Sequence, residues 1–311
     1  ARGEWRMISW LLLLVMLEER RALQVEEDAS CEQRRRQHRG LDSIQVLDWD
    51  SRVFAIQNFL SDEEADEVIR LGHEELDAQH GGGWEREVAY GTAFFHYHQS
   101  NMSRVLVELE DRIARTTMIR PHPDELPLMF TRQIPGAIVG NVVPNQRVRN
   151  VHHDKNQREN RVVTVLIYLS DSGEGDGGHT IFPCLPAPAA TTGAARRSFS
   201  SKFKRLFLNG SRTLSGRGGR EEEVKLLAAC NEQCLLAHEA AVMNIRPQKG
   251  TAVIFWNVLA DGSPNFRVWH AACQALKGKA RYALQKFKEF PRVTGEWVLE
   301  KGAKRPKWVE K

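Results

Sequence analysis

From Val46 onward the apolar positions change period along the chain. Val53-Phe54-Ala55-Ile56 is a short apolar run of strand type, and Phe59-Leu60 then lead into Ser61-Asp62-Glu63-Glu64. Ser61 and Glu64 stand at capping-box spacing, and Ala65, Val68, Ile69 and Leu71 predict a helix to about residue 77. Leu106, Leu109, Ile113 and Ala114 predict a second helix from about Arg104 to Thr116. His80–Gly83 and Asn141–Arg149 read as loops. From Val151 the period shortens to that of strands. Val162–Leu169 is β-branched and almost wholly apolar, as a strand buried on both faces would be. Thr180–Phe182, Ala252–Trp256 and Tyr282–Phe287 predict further strands, with Gly177-Gly178 as a turn. Many short strands separated by glycine and proline turns predict a sandwich or barrel.

Composition narrows this only a little. The chain has 311 residues, 41% of them apolar and 27% charged, with a net charge of +4. Those values exclude a wholly disordered, collagenous or multi-span membrane chain and give no footing for a nucleic-acid partner. The distribution of charge says more. Met7–Leu17 is an uncharged apolar run of 11 residues behind Arg2 and Arg6. It is shorter than the about 20 residues that span a bilayer, and it suits the apolar region of a secretory signal. Residues 1–24 therefore read as a targeting segment with possible membrane association, and 25–45 as a charged linker. Ala187–Arg220 carries eight Lys and Arg and no acid, so 184–240 reads as a basic loop insertion and its return. Residues 291–311 form a basic tail. The five cysteines do not fix a redox compartment, and the Cys230-x3-Cys234 spacing fits a pair or two thiols equally.

The chemistry centres on His152-His153-Asp154, just before the long apolar run, and on His270, 116 positions beyond Asp154. A His and a carboxylate two apart on an extended segment point to the same side. A distant His folded back onto them completes a two-His, one-carboxylate facial set, which holds Fe(II) and leaves positions open. His153 stays open as the alternative ligand, although only His152 has the two-residue spacing to Asp154.

The flanks of these residues resemble the prolyl 4-hydroxylase family of 2-oxoglutarate- and Fe(II)-dependent dioxygenases, from about Arg52 to Phe287. RVFAIQNFLSDEEADEVI is similar to the family's opening strand and helix. Tyr90-Gly91-Thr92 and ELEDRIARTT are similar to its next loop and helix. HHD, NRVVTVLIYLSD, GGHTIFP, KGTAVIFWNVLADG and HAAC follow in family order. The resemblance implies an α+β fold with a mainly β core, a double-stranded β-helix (jelly-roll, cupin-like) supported by N-terminal helices, over 46–290. It implies His152, Asp154 and His270 as iron ligands and as the catalytic set. Arg281 would pair with the distal carboxylate of 2-oxoglutarate, with Lys279 as runner-up, and Thr180 and Tyr168 would assist. Arg161 matches a residue that contacts peptide substrate. Implied cofactors are Fe(II), 2-oxoglutarate, O2 and L-ascorbate; the implied partner is a proline-containing polypeptide, and the implied compartment is the endoplasmic reticulum lumen or secretory pathway.

Three features depart from the family pattern. Its tyrosine ahead of the first ligand is missing, with Val142 and Val143 nearest that place; Gln274 replaces the proline after HAAC; and the insertion after GGHTIFP is long. They leave room for a lysyl side chain or a small molecule as substrate, and for a catalytically silent binding module. The oligomeric state is not legible in the sequence.

Overall fold

The computed structural model describes residues 44–81, 90–96, 103–136, 148–156, 160–187, 234 and 242–291. They form the fold of the unit Gln45–Lys311; of the unit Ala1–Ile44 only Ile44 is described. The strands are β1 (Ile44–Asp48), β2 (Val53–Ile56), β3 (Tyr90–Phe95), β4 (Leu128–Gln133), β5 (Val148–His152), β6 (Arg161–Tyr168), β7 (Thr180–Pro186), β8 (Val242–Ile245), β9 (Ala252–Trp256), β10 (His270–Cys273) and β11 (Arg281–Glu289). Two helices, α1 (Asp62–His80) and α2 (Arg104–Thr117), precede β3 and β4. The larger sheet runs β1-β2-β9-β6-β11-β4-β3 and the smaller β5-β10-β7-β8. From β4 onward the chain passes back and forth between the sheets, with only β7 and β8 consecutive in one of them. Antiparallel strands dealt in this way to two sheets make a double-stranded β-helix, the expected fold.

Period-2 alternation explains why β6 is buried along its whole length. Val163, Val165 and Ile167 pack outward with Phe130 and Leu284 against Val68, Leu76, Leu109 and Ile113 of the helices. Leu166 and Tyr168 face inward, where Val253, Phe255 and Ala283 meet Phe182, Leu185 and Met243 of the smaller sheet. The capping box forms as expected: the Glu64 amide donates to Ser61 Oγ (3.1 Å) and the Ser61 amide to Glu64 Oε2 (2.8 Å). Helix α1 lies so close to the sheet that a Cβ on Gly72 would stand 2.5 Å from the Phe130 ring.

Several expectations are corrected. Tyr90–Thr92 belongs to strand β3 and not to a loop, and β4 also precedes the region where strands were expected. The loop assigned to Asn141–Arg149 gives way to β5 from Val148, and β7 carries the chain to Pro186, past the expected start of the insertion. Cys234 is bonded to Cys273, 39 residues away, and not to Cys230. The Met7–Leu17 run, Val142, Val143, most of the insertion and the C-terminal tail lie outside the described residues. Among the described residues no helix is long and apolar enough to cross a membrane.

Charge is buried where the patterning predicted only apolar contact. Lys286 and Lys288 occupy the helix-facing side of β11. Lys286 Nζ lies 2.7 Å from Glu110 Oε1 and 3.3 Å from Glu125 Oε2, and Lys288 Nζ lies 2.7 Å from Glu125 Oε1. Burial pushes the Glu110 carboxyl up and the Lys288 ammonium down, each opposed by its partners. Removing one member of such a group strands the other without water. Glu110→Ala is expected to lower unfolding free energy by about 3 kcal/mol in urea denaturation. Glu110→Leu combined with Lys286→Met is expected to recover most of that loss.

Candidate metal centre and adjoining cavity

Antiparallel pairing of β5 with β10 sets His152 directly opposite His270. The 3-10 turn Asp154–Asn156 then brings Asp154 beneath both rings. His152 Nε2 is 3.4 Å from Asp154 Oδ1, His270 Nε2 is 3.8 Å from Asp154 Oδ2, and the imidazole centroids are 4.4 Å apart. One ligand atom from each residue falls within 4.8 Å of the others, so the three could hold one metal ion. Asp154 and His270 are buried, while His152 keeps 27% of its side chain exposed. The centre is thus closed on one side and open on the other.

The surrounding hydrogen bonds fix each ligand's form. His270 Nδ1 lies 3.0 Å from the Val268 carbonyl oxygen. A carbonyl only accepts, so Nδ1 carries the proton and Nε2 presents a lone pair. Thr164 Oγ1 donates to Asp154 Oδ2 at 2.6 Å, and Asn257 Nδ2 donates to Thr164 at 2.9 Å. Burial pushes the Asp154 carboxyl up, but His270, His152 and the Thr164 hydroxyl outweigh it and hold the group well below the usual carboxylate range. Burial also pushes His270 down to about 4, so it stands neutral as a ligand must. His153 is excluded from the set. Its Nε2 donates to the Asn265 carbonyl (3.0 Å), its Nδ1 accepts from the Lys155 amide (3.2 Å), and burial pushes it down to about 4. Two imidazoles and a carboxylate with an open side fit Fe(II) better than a structural zinc.

A cavity of about 360 Å³ adjoins the triad, with His152 and His270 in its wall. Register across β3, β4, β11 and β6 builds the wall in rows. Tyr90, Gln133 and Arg281 form one row; Thr131 and Ala283 the next; Phe94, Met129, Gln285 and Leu166 a third. Thr180 lies opposite Ala272 on the neighbouring β10, and both line the cavity with Arg281. Gly177 and Gly178 both have positive φ (76° and 73°), and a Cβ on Gly177 would meet the Gln274 carbonyl at 2.2 Å. Only this tight turn lets β7 start beside Arg281.

Tyr168 is wholly buried beneath that corner. Its hydroxyl donates to Thr180 Oγ1 at 2.8 Å, and the Arg281 guanidinium lies 5.8 Å from its ring centroid. Burial raises the Tyr168 phenol, against the pull of Arg281 and Thr180. The structure therefore gathers Arg281, Thr180 and Tyr168. Lys279 is exposed and lies outside the cavity wall, so the runner-up cation is not part of this cluster. Arg161 does line the cavity, with its guanidinium 3.7 Å from the Phe287 ring centroid. Sequence reasoning missed Thr164 and Asn257, whose signal was a polar residue within each apolar strand run or at its end. It also missed Gln133, Met129, Phe94 and Gln285 in the wall, and Tyr90 as a wall residue.

Residues 141–288 match the model of the 2OG-Fe(II) oxygenase superfamily. This chain is similar to that superfamily over those residues, a little under half of its length. Its relatives include Prolyl 4-hydroxylase 1 of Arabidopsis thaliana, 23% identical over 76% of this chain and 68% of the relative. Probable prolyl 4-hydroxylase 8 of the same plant is 26% identical over the same shares. Among solved structures, the viral collagen prolyl hydroxylase of Paramecium bursaria Chlorella virus-1 is similar at a TM-score of 0.40 and 16% identity, covering 77% of this chain and 96% of that one. In Mn(II) calorimetry, His270→Ala is expected to abolish tight binding, and Thr164→Val to weaken it about 10-fold without changing the fold.

Proposed function

We propose that this chain is a prolyl 4-hydroxylase-like dioxygenase, which hydroxylates peptidyl proline while 2-oxoglutarate is decarboxylated to succinate and CO2. The observation that carries the reading is the convergence, on one cavity, of the His152/Asp154/His270 set with Arg281 and Thr180. Fe(II) held by the triad would supply the oxidative chemistry with O2, and ascorbate would keep it reduced. The remaining work belongs to the protein.

Arg281 offers a planar fork suited to a carboxylate, and it lines the same cavity as His152 and His270. Thr180 Oγ1 already accepts from Tyr168, so its own proton is directed elsewhere, available to the same carboxylate. Tyr168 thereby orients Thr180 from below. Phe94, Pro127, Met129 and Phe287 form apolar wall suited to a pyrrolidine ring on an extended peptide and to excluding water from the reacting carbon. Arg161 in the same wall supplies donors for a peptide carbonyl. A second reading keeps the enzyme class and changes the substrate to a lysyl side chain or a small molecule; the polar Thr131, Gln133 and Gln285 in the wall favour it. The Cys234–Cys273 disulfide supports an oxidising compartment, in line with a secretory address and possible membrane association through residues 7–17.

The test is succinate formation with Fe(II), 2-oxoglutarate and ascorbate, with and without a proline-rich peptide. Peptide-stimulated turnover with oxygen recovered on proline supports the proposal. Stimulation by lysyl peptides alone moves the substrate to the second reading, and no turnover of iron-loaded protein leaves a silent binding module. Arg281→Met is expected to raise KM for 2-oxoglutarate at least about 10-fold, as loss of a bidentate charged contact does, while Mn(II) affinity stays unchanged.

A further inference from the structure

Arg161 opens β6, is buried, and stands between two buried carboxylates that come from different elements. Its Nη1 is 3.6 Å from Asp154 Oδ1 and its Nε is 3.5 Å from Glu289 Oε1. Glu289 ends β11 directly across the sheet from Arg161, and Asn160 Nδ2 steadies its other oxygen at 3.3 Å. The Phe287 ring lies flat-side to the guanidinium, whose central carbon is 3.7 Å from the ring centroid. Stacking holds the plane of the fork, and within that plane the two acids pull it in different directions. Both distances are ion-pair range and longer than a tight charged hydrogen bond. One cation is shared nearly evenly between a candidate metal ligand and a residue that ligates nothing.

Shared cations matter here because charge is what a dication reads. Asp154, Glu289 and Arg161 together carry one net negative charge beside the triad. Neutralise Glu289 and the sum becomes zero; of the two acids only the Asp154 carboxylate, which the metal needs, then pulls on the guanidinium. We propose that Glu289 is a positioning residue that draws Arg161 away from Asp154, so that the centre keeps its affinity for a divalent cation. This rests on the reading of His152, Asp154 and His270 as metal ligands.

The experiment is Mn(II) titration of the full apo chain by calorimetry, with thermal melting in parallel and His270→Ala as control. Glu289→Gln, which keeps shape and the Asn160 contact, is expected to weaken Mn(II) about 10-fold, the scale of outer-shell losses. Adding Arg161→Met to it restores one net negative charge and is expected to return wild-type affinity. A merely structural Glu289 predicts the opposite, with the double variant as weak as the single or weaker. Arg161→Met alone leaves two acids and is expected to bind at least as tightly as wild type; this arm decides the matter if Glu289→Gln does not fold. Unchanged binding in Glu289→Gln, no recovery in the double variant, or weaker binding in Arg161→Met overturns the proposal. Wild-type protein that ignores Mn(II), or a His270→Ala variant that binds normally, overturns the metal-centre reading and the proposal with it.

Discussion

One pairing underlies the site: β5 against β10, in the register that sets His152 opposite His270. A slip of one residue would turn every side chain of a strand to the opposite face, separating the two imidazoles and carrying His270 into the packing against Trp269 and Cys273. The register is held from both sides. On one flank β10 pairs with β7 through Ala271–Ile181 and Ala272–Thr180, which also delivers Thr180 to the cavity. At its far end Cys273 is bonded to Cys234, tying β10 to a distant part of the chain. The small sheet therefore places His152, His270 and Thr180, while Arg281 and Tyr168 come to them from the larger sheet.

Strand β11 shows how that wall carries charge on both sides without failing. Its helix-facing positions Lys286 and Lys288 meet Glu110 and Glu125, while Glu289 meets Arg161 on the side of the site. Buried ion pairs add little net stability over apolar packing, because desolvation offsets attraction. What they add is restriction: a charge in a dry interior tolerates few arrangements. Lys286 also donates to the Leu126 carbonyl at 3.0 Å, and Leu126 and Pro127 belong to the cavity wall. The ionic group behind β11 thus fixes a segment in front of it, and the shape of the cavity depends on charges that never touch it.

Much of this was legible in the sequence, and the failures have physical causes. The His-x-Asp spacing and the nearly all-apolar β6 run named the ligand candidates and a strand buried on both faces, and the capping box located the start of α1. The two-residue spacing to Asp154 already favours His152 over His153; the structure adds why His153 is unavailable, since the Asn265 carbonyl, 112 residues away, occupies its ring. Tyr90–Thr92 matches a family loop in sequence, yet it is strand, and Gly91 within it is there for packing. A Cβ on it would meet Leu76 of α1 at 2.9 Å. Glu110 sits on the buried stripe of α2 with Leu106, Leu109 and Ile113, a visible anomaly whose partner lay 176 residues away on β11. Cysteine spacing leaves Cys230 and Cys234 equally open as a pair or as two thiols; only the fold brings Cys273 to Cys234.

The boundary of the family match divides the cavity by task. His152, Asp154, Thr180, His270 and Arg281 all lie within the matched residues 141–288. Tyr90, Phe94, Met129, Thr131 and Gln133 line the same cavity from β3 and β4, outside it. Strands β3 and β4 form one end of the larger sheet, where substitutions alter the wall without disturbing the register that assembles the triad. Chemistry and discrimination can then change independently, since differential contacts in the wall, and not the metal set, separate one substrate from another. The triad therefore says little about whether the acceptor is proline, lysine or a small molecule. That question belongs to the side chains of β3 and β4 in the wall, which are of mixed character, aromatic and thioether beside amide and hydroxyl.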